Sequence, residues 1–177
     1  MLRMRNGFPL VWIAVLTACG QGTDSPSAAV ENLGVQNVAA PLPNLITTAQ
    51  PSRDQVEGMM AMGYRNFVSL QLEEEPGAGW EEEGVPGAGG SFARIPIAGP
   101  DDLTRENVER LAAILEETGA DRTVLYCASS NRVGALLALK AFWIDGADAE
   151  EALSLGREAG LRGLEPSVRS LLTSPPQ

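Results

Sequence analysis

Between residues 43 and 172, short runs rich in β-forming residues alternate with segments of helical spacing, which limits the chain to few architectures. Leu45-Ile46-Thr47-Thr48 reads as a first strand, Asn66 to Leu72 as a second, Phe92 to Ile97 as a third and Arg122 to Tyr126 as a fourth. A helix opens at Gln50-Pro51-Ser52 with Ser52 as N-cap, sets Val56, Met59 and Met60 on one face, and stops at Gly63. Val108, Leu111, Ile114 and Leu115 mark a second helical face, capped by Thr104 or Asp102. Further helices are expected from about Val133 to Ile144, near Ala149–Ala159 and near Glu165–Leu172. The acidic, Gly- and Pro-rich stretch 73–90 reads as a solvated loop rather than a lid over substrate, with Trp80 the one residue that suits a lid. Strands separated by helices imply an α/β domain, a mainly parallel sheet flanked by helices. Right-handed crossovers gather the carboxyl ends of such strands at one edge, where ligands bind.

Composition removes several chemistries. The 177 residues include no histidine, which excludes Ser-His-Asp and Cys-His catalysis, and only two cysteines, so no zinc site and no other metal or cofactor is expected. A formal net charge of -10 repels nucleic acid and gives no long-range attraction to anionic substrates, so a phosphate site has to be built locally.

The first nineteen residues, MLRMRNGFPLVWIAVLTAC, combine Arg3 and Arg5 with an apolar stretch, Phe8 to Leu16, too short to span a bilayer as a helix. Leu16-Thr17-Ala18-Cys19 resembles a bacterial lipobox. The expected organisation is therefore a lipoprotein signal peptide over 1–18, a flexible tether over 19–42 starting at lipidated Cys19, the domain over 43–172 and a disordered tail over 173–177. This places the protein in a bacterial cell envelope, held to the membrane by its lipid alone, and Gly20 fits the periplasmic face of the outer membrane. Cys127 is then the one thiol of the exported domain and has no internal disulfide partner.

The chemistry concentrates in Val124-Leu125-Tyr126-Cys127-Ala128-Ser129-Ser130-Asn131-Arg132-Val133-Gly134-Ala135. An apolar strand ends in a cysteine, a small polar loop follows, and an arginine opens a helix. Such a turn points successive backbone N–H groups of 128–131 into a concavity, and the helix N-terminus adds positive potential. Arg132 can grip two oxygens of a tetrahedral anion, and the same field stabilises a thiolate at Cys127.

Several segments in this order resemble the bacterial phosphatase-like domain sometimes called the β-lactamase hydrolase-like family, a branch of the dual-specificity phosphatase fold. They are Ile46-Thr47-Thr48-Ala49-Gln50-Pro51-Ser52, Met62-Gly63-Tyr64-Arg65-Asn66-Phe67-Val68-Ser69-Leu70, Arg94-Ile95-Pro96-Ile97, the cysteine loop, and Ala159-Gly160-Leu161-Arg162-Gly163-Leu164-Glu165-Pro166. The resemblance implies a cysteine-dependent phosphatase acting on a phosphorylated protein or small molecule through a phosphocysteine intermediate. It makes Cys127 the nucleophile, Ala128, Ser129, Ser130 and Asn131 the amide cradle, and Arg132 the phosphoryl clamp. Asp101 and Asp102 stand where this fold places its proton donor, and helix capping is the structural alternative for both.

The chain departs from the general tyrosine-phosphatase signature in four places. It has Tyr126 where that signature has His, four residues between Cys127 and Arg132 rather than five, Ser130 where a Gly is expected, and Val133 where a hydroxyl follows the arginine. Four intervening residues is usual for the resembled family. Gln71 stands where relatives commonly carry Arg. If position 130 needs positive φ, Ser costs roughly 1 kcal/mol there, and slow turnover is the expected consequence. The shortened loop also suits two other functions: rhodanese-like sulfur or persulfide transfer, and oxyanion binding without catalysis. At the N-terminus, Cys19→Ala should abolish incorporation of labelled palmitate in growing cells, and persistent labelling would remove the lipobox reading.

Overall fold

The alternating runs assemble as expected into one sheet. The computed structural model describes residues 25–173 and contains α1 (Pro26–Glu31), β1 (Ala39–Leu42), β2 (Leu45–Thr48), α2 (Arg53–Ala61), β3 (Asn66–Ser69), α3 (Glu81–Gly87), β4 (Ser91–Arg94), α4 (Arg105–Thr118), β5 (Thr123–Tyr126), α5 (Asn131–Trp143), α6 (Ala149–Glu158) and α7 (Glu165–Thr173). A 3-10 turn, Pro100–Asp102, precedes α4. The strand order is β1-β2-β5-β3-β4. β2, β5, β3 and β4 run parallel, and β1 adds an antiparallel edge to β2. Cys19, the signal segment and residues 174–177 lie outside the described residues.

Burial explains why these runs pair. β2 and β5 are buried along their whole length, as strands covered on both faces are, and they carry Thr47, Thr48 and Thr123 inward with their apolar residues. One face packs Ile46, Phe67, Val124 and Tyr126 against Val56, Met59 and Met60 of α2 and Val85 of α3. The other packs Leu45, Val68 and Leu125 against the apolar residues of α4, α5, α6 and α7. The two faces are reached by crossovers in opposite directions. The chain steps β2–β3–β4 outward and then returns to insert β5 between β2 and β3. The carboxyl end of β5 is therefore the point where neighbouring connections diverge to opposite faces, which opens a crevice there.

Two parts of the sequence reading need correction. Residues 26–42 are not a tether. Ser25 caps α1, and Val30 and Val35 are buried in the same cluster as Val56 and Met59, with Leu33 and Val38 against it. Spaced apolar residues in a polar stretch supply enough burial to order it, despite its Gly and Pro content. Nor is 73–90 wholly loop. Glu81 and Val85, four apart, face inward from α3 and are fully buried, while Glu82 and Glu83 point outward. Element ends also shift: β3 stops at Ser69, β4 starts at Ser91 and stops at Arg94, and α5 begins two residues early, at Asn131.

The packing of α5 on α6 depends on the absence of side chains. A Cβ on Gly134 would collide with the backbone of Leu161 and Gly156, and one on Gly156 would collide with Gly134 O and Ala138. Backbone atoms cannot move aside as a flexible side chain can. Gly134→Ala should lower the denaturant midpoint by an amount equivalent to about 1–3 kcal/mol, and an unchanged midpoint would show that the helices are free to separate.

Candidate active site

At the carboxyl end of β5, side chains alternate between the two faces. Leu125 and Cys127 belong to the cluster under α4–α7, and Tyr126 belongs to the cluster under α2 and α3. Cys127 is fully buried at the floor of the turn, whereas Ala128 and Ser129 are exposed above it. Ser130 is buried and has φ 64°, the left-handed conformation that the sequence comparison reserves for glycine. A serine there costs roughly 1 kcal/mol.

Ser130 is the N-cap of α5, yet its hydroxyl makes no capping bond. It donates instead to Asn37 O at 3.3 Å. Ser52, Thr104 and Asp148 do cap α2, α4 and α6 with their side chains. The first N–H groups of α5 therefore receive no bond from their cap residue, and first-turn N–H groups have no partner within their own helix. A thirteen-residue helix places positive potential at that end.

Arg132 sits in the first turn of α5 and is held on one edge. Glu75 accepts from Nη1 at 2.5 Å and from Nη2 at 2.7 Å, and Ile97 O accepts from Nη1 at 2.7 Å. A guanidinium has five N–H donors in a planar fork. These bonds use both Nη1 hydrogens and one of Nη2. The adjoining edge, Nε–H with the second Nη2–H, has no oxygen acceptor among the described residues. Hydrogen bonding to Glu75 first, and then, against the opposing effect of partial burial, the interaction with the neighbouring Cys127 sulfur, hold the Arg132 charge above its ordinary range. In turn the Arg132 hydrogen bond, opposed by partial burial, pulls Glu75 down to about 2. Gln71, almost fully buried at the end of β3, adds an amide contact to Glu75 Oε2 at 3.4 Å.

The other expected site residues divide between scaffold and surface. Asn131 contributes backbone to the turn, but its side chain points away. Its Oδ1 accepts from Arg162 N at 2.8 Å and Leu164 N at 3.3 Å, which ties the turn to the segment after α6. Gly160 in that segment lies so close to Ser130 that a Cβ would strike the Ser130 side chain. Asp102 is occupied: its carboxylate accepts from Ala98 N at 2.7 Å and Gly99 N at 3.3 Å, closing the loop after β4, while Thr104 caps α4. Asp101 is exposed, and its carboxylate has no partner among the described residues. The loop that carries both aspartates is pinned to the turn through the Arg132–Ile97 bond.

Beneath the turn lies a buried polar network absent from the sequence reading. Tyr126 donates to Glu81 Oε1 at 3.2 Å, and the same fully buried carboxylate accepts from Gln50 Nε2 at 3.1 Å and Arg94 Nη2 at 3.1 Å. Arg94 also reaches Ser69 Oγ, Gln71 O and Glu82. Burial first, and then the Glu81 charge, push the Tyr126 phenol well above its usual range, so it remains a donor. Glu75, Glu81 and Asn37 escaped notice because the first two lie in an acidic run read as solvated and the third in a stretch read as tether. One signal was available: an arginine in a tight turn needs a carboxylate nearby, and the run after β3 is the nearest source.

No family model and no curated protein matches this chain. Solved structures do. A DUF442 protein of Shewanella putrefaciens, described as a candidate phosphatase, is 19% identical with a TM-score of 0.63, covering 81% of this chain and 94% of that one. A candidate phosphatase of Neisseria meningitidis is 18% identical with a TM-score of 0.61, over 75% of this chain and 94% of that one. Kinase associated phosphatase, solved with its catalytic-site cysteine replaced by serine, is 13% identical with a TM-score of 0.59, over 78% and 93%. The chain thus has the α/β fold of the dual-specificity and tyrosine phosphatases, with a mixed five-stranded sheet flanked by helices.

Proposed function

We propose that this protein is a cysteine-dependent phosphatase of the β-lactamase hydrolase-like type, acting on phosphate monoesters. The observation that carries the reading is the state of Arg132: Glu75 and Ile97 O fix one edge of its guanidinium and leave a two-donor edge, with the Cys127 sulfur beside it. That edge matches two oxygens of a phosphoryl group, and the uncapped start of α5 supplies further N–H donors. The Cys127 thiolate attacks phosphorus, an S–P bond forms, and the ester P–O bond breaks. The leaving oxygen takes a proton from an acid. Asp101 is the better placed of the two aspartates, because the Asp102 carboxylate is committed to Ala98 and Gly99. Water then cleaves the S–P bond, the same carboxylate accepts its proton, and phosphate leaves with the thiolate restored.

Three features favour modest turnover. Cys127 is fully buried, Ser130 is held in the left-handed region, and Val133 offers no hydroxyl to assist expulsion of the thiolate. Lipid attachment at Cys19, and with it a place in the cell envelope, belongs to the same proposal.

The test uses the full chain in detergent under reducing conditions. Vanadate-sensitive hydrolysis of para-nitrophenyl phosphate should be lost in Cys127→Ser. Thiocyanate formed from thiosulfate and cyanide, with no phosphate release, would replace the reading by sulfur transfer. Oxyanion binding that survives Cys127→Ser without any turnover in the parent would replace it by a binding role. Arg132→Ala should weaken vanadate binding by roughly 1.5–3 kcal/mol, and an unchanged affinity would remove Arg132 from the site.

Glu75 gives a pH signature. Folding lowers its pKa from 4.5 to about 2, so between those values the unfolded chain binds more protons than the native one. Its contribution to stability is whole above the unfolded value and is lost as pH falls through the folded one. The difference in melting temperature between the parent and Glu75→Gln should therefore be present at neutral pH and close across that acid range, and a difference independent of pH would exclude the ion pair as its source.

A further inference from the structure

Of the three non-glycine residues with positive φ among the described residues, Asn37 (54°), Asn44 (60°) and Ser130 (64°), two are bonded to each other. Asn44 lies in the short connection between β1 and β2. Asn37 and Ser130 are 93 positions apart in sequence, and the segment that carries Asn37, a strap over residues 35–37, lies against the cysteine turn. Ser130 Oγ donates to Asn37 O at 3.3 Å, and Asn37 Nδ2 donates to Ser129 O at 3.2 Å. The strap is anchored on both sides: Val35 is buried in the core, and Gln36 O accepts from Ala49 N at 2.9 Å. Ala49 in turn forms a bridge with Ser129. Residues 35–37, Ala49 and Ser129 are therefore stacked side by side. Two residues in a sparsely populated backbone region persist only where their surroundings over-determine them, and each of these helps to hold the other.

The bond to Ser129 O has a directional consequence. A trans peptide is planar, so the carbonyl of Ser129 and the N–H of Ser130 point in opposite directions. A donor that holds the carbonyl on the outside of the turn aims that N–H toward the inside. We propose that Asn37 is a positioning residue of the anion cradle, its side-chain amide fixing the 129–130 peptide so that the Ser130 N–H faces the bound oxyanion. This rests on the phosphatase reading above. It also accounts for a serine at a glycine-like position: a glycine there would adopt the conformation freely, whereas Ser130 is clamped from outside through its hydroxyl and its preceding carbonyl.

Asn37→Gly is the informative variant, because glycine tolerates the same positive φ and leaves the backbone carbonyl that Ser130 uses. In the full chain in detergent, inorganic phosphate binding by calorimetry and the KM for an aryl phosphate should both weaken by about threefold to tenfold, the effect of losing one hydrogen bond, with kcat changed much less. The same substitution made in a Ser130→Gly background should weaken phosphate binding by a smaller factor, since the peptide no longer depends on the clamp. Asn37→Asp, which keeps the shape but cannot donate, should weaken binding at least as much as Asn37→Gly. If Asn37→Gly binds phosphate as the parent does, or if its effect is undiminished beside Ser130→Gly, the proposal is wrong while the phosphatase reading stands. If the parent itself binds no phosphate, both fall together. Should Asn37→Gly fail to fold, Asn37→Asp is compared in the parent and in the Ser130→Gly background: a smaller loss of phosphate affinity beside Ser130→Gly supports the proposal, and parental affinity in the first or an equal loss in both overturns it.

Discussion

Arg132 and Glu75 form the contact on which the site depends. A guanidinium with 13% of its side chain exposed, opposite a carboxylate with 22%, is stable only because the two are bonded through two parallel hydrogen bonds. The pair links three pieces of chain that are remote in sequence: the start of α5, the run after β3, and through Ile97 O the loop after β4. It fixes which edge of the arginine faces inward. A lysine at this position could neutralise Glu75, but it could not hold one edge and offer another, because its donors rotate on a single atom.

The turn between β5 and α5 is held from several sides. Asn131 bonds the segment that follows α6, Gly160 lies against Ser130, and Gly134 lets α5 and α6 approach to backbone contact. From below, Tyr126 is tied to Glu81, whose charge is matched by Arg94. A buried ion pair of this kind adds little net stability over well-packed apolar residues, but removal of one partner strands the other charge. It therefore constrains the strand next to Cys127 more than it strengthens the fold. The α3 helix, which carries Glu81, thereby becomes part of the floor of the site.

The parts legible in the sequence were those with a period or a strong local signal. The strands β2 and β5, the helix capped by Ser52, and the cysteine–arginine turn follow from apolar runs, capping chemistry and loop composition. The need for positive φ at Ser130 was foreseen as a condition, and the backbone meets it. The different settings of Asp101 and Asp102 were not legible, because both lie in the same turn and only Asp102 accepts from Ala98 N and Gly99 N. The strap was hidden for a different reason. Val30, Val35 and Val38 are too few to show a period, and their value lies in burial against Ile46 of β2 and Val56 and Met59 of α2. The sense of the acidic run was likewise set by tertiary contacts, since the outward-facing Glu82 and the buried Glu81 are neighbours of identical type.

The folded state of residues 25–42 changes how far this domain could stand from a membrane. On the lipid-anchored reading of Cys19, only residues 20–24 separate the acyl chains from Ser25, the cap of the first helix. Five residues at full extension reach about 18 Å, less than the span of a small domain. The leash would keep the folded domain within its own width of the bilayer surface. Any molecule that reached the domain would then have to come to that surface, and the segment next to the leash carries Asn37, which bonds the cysteine turn.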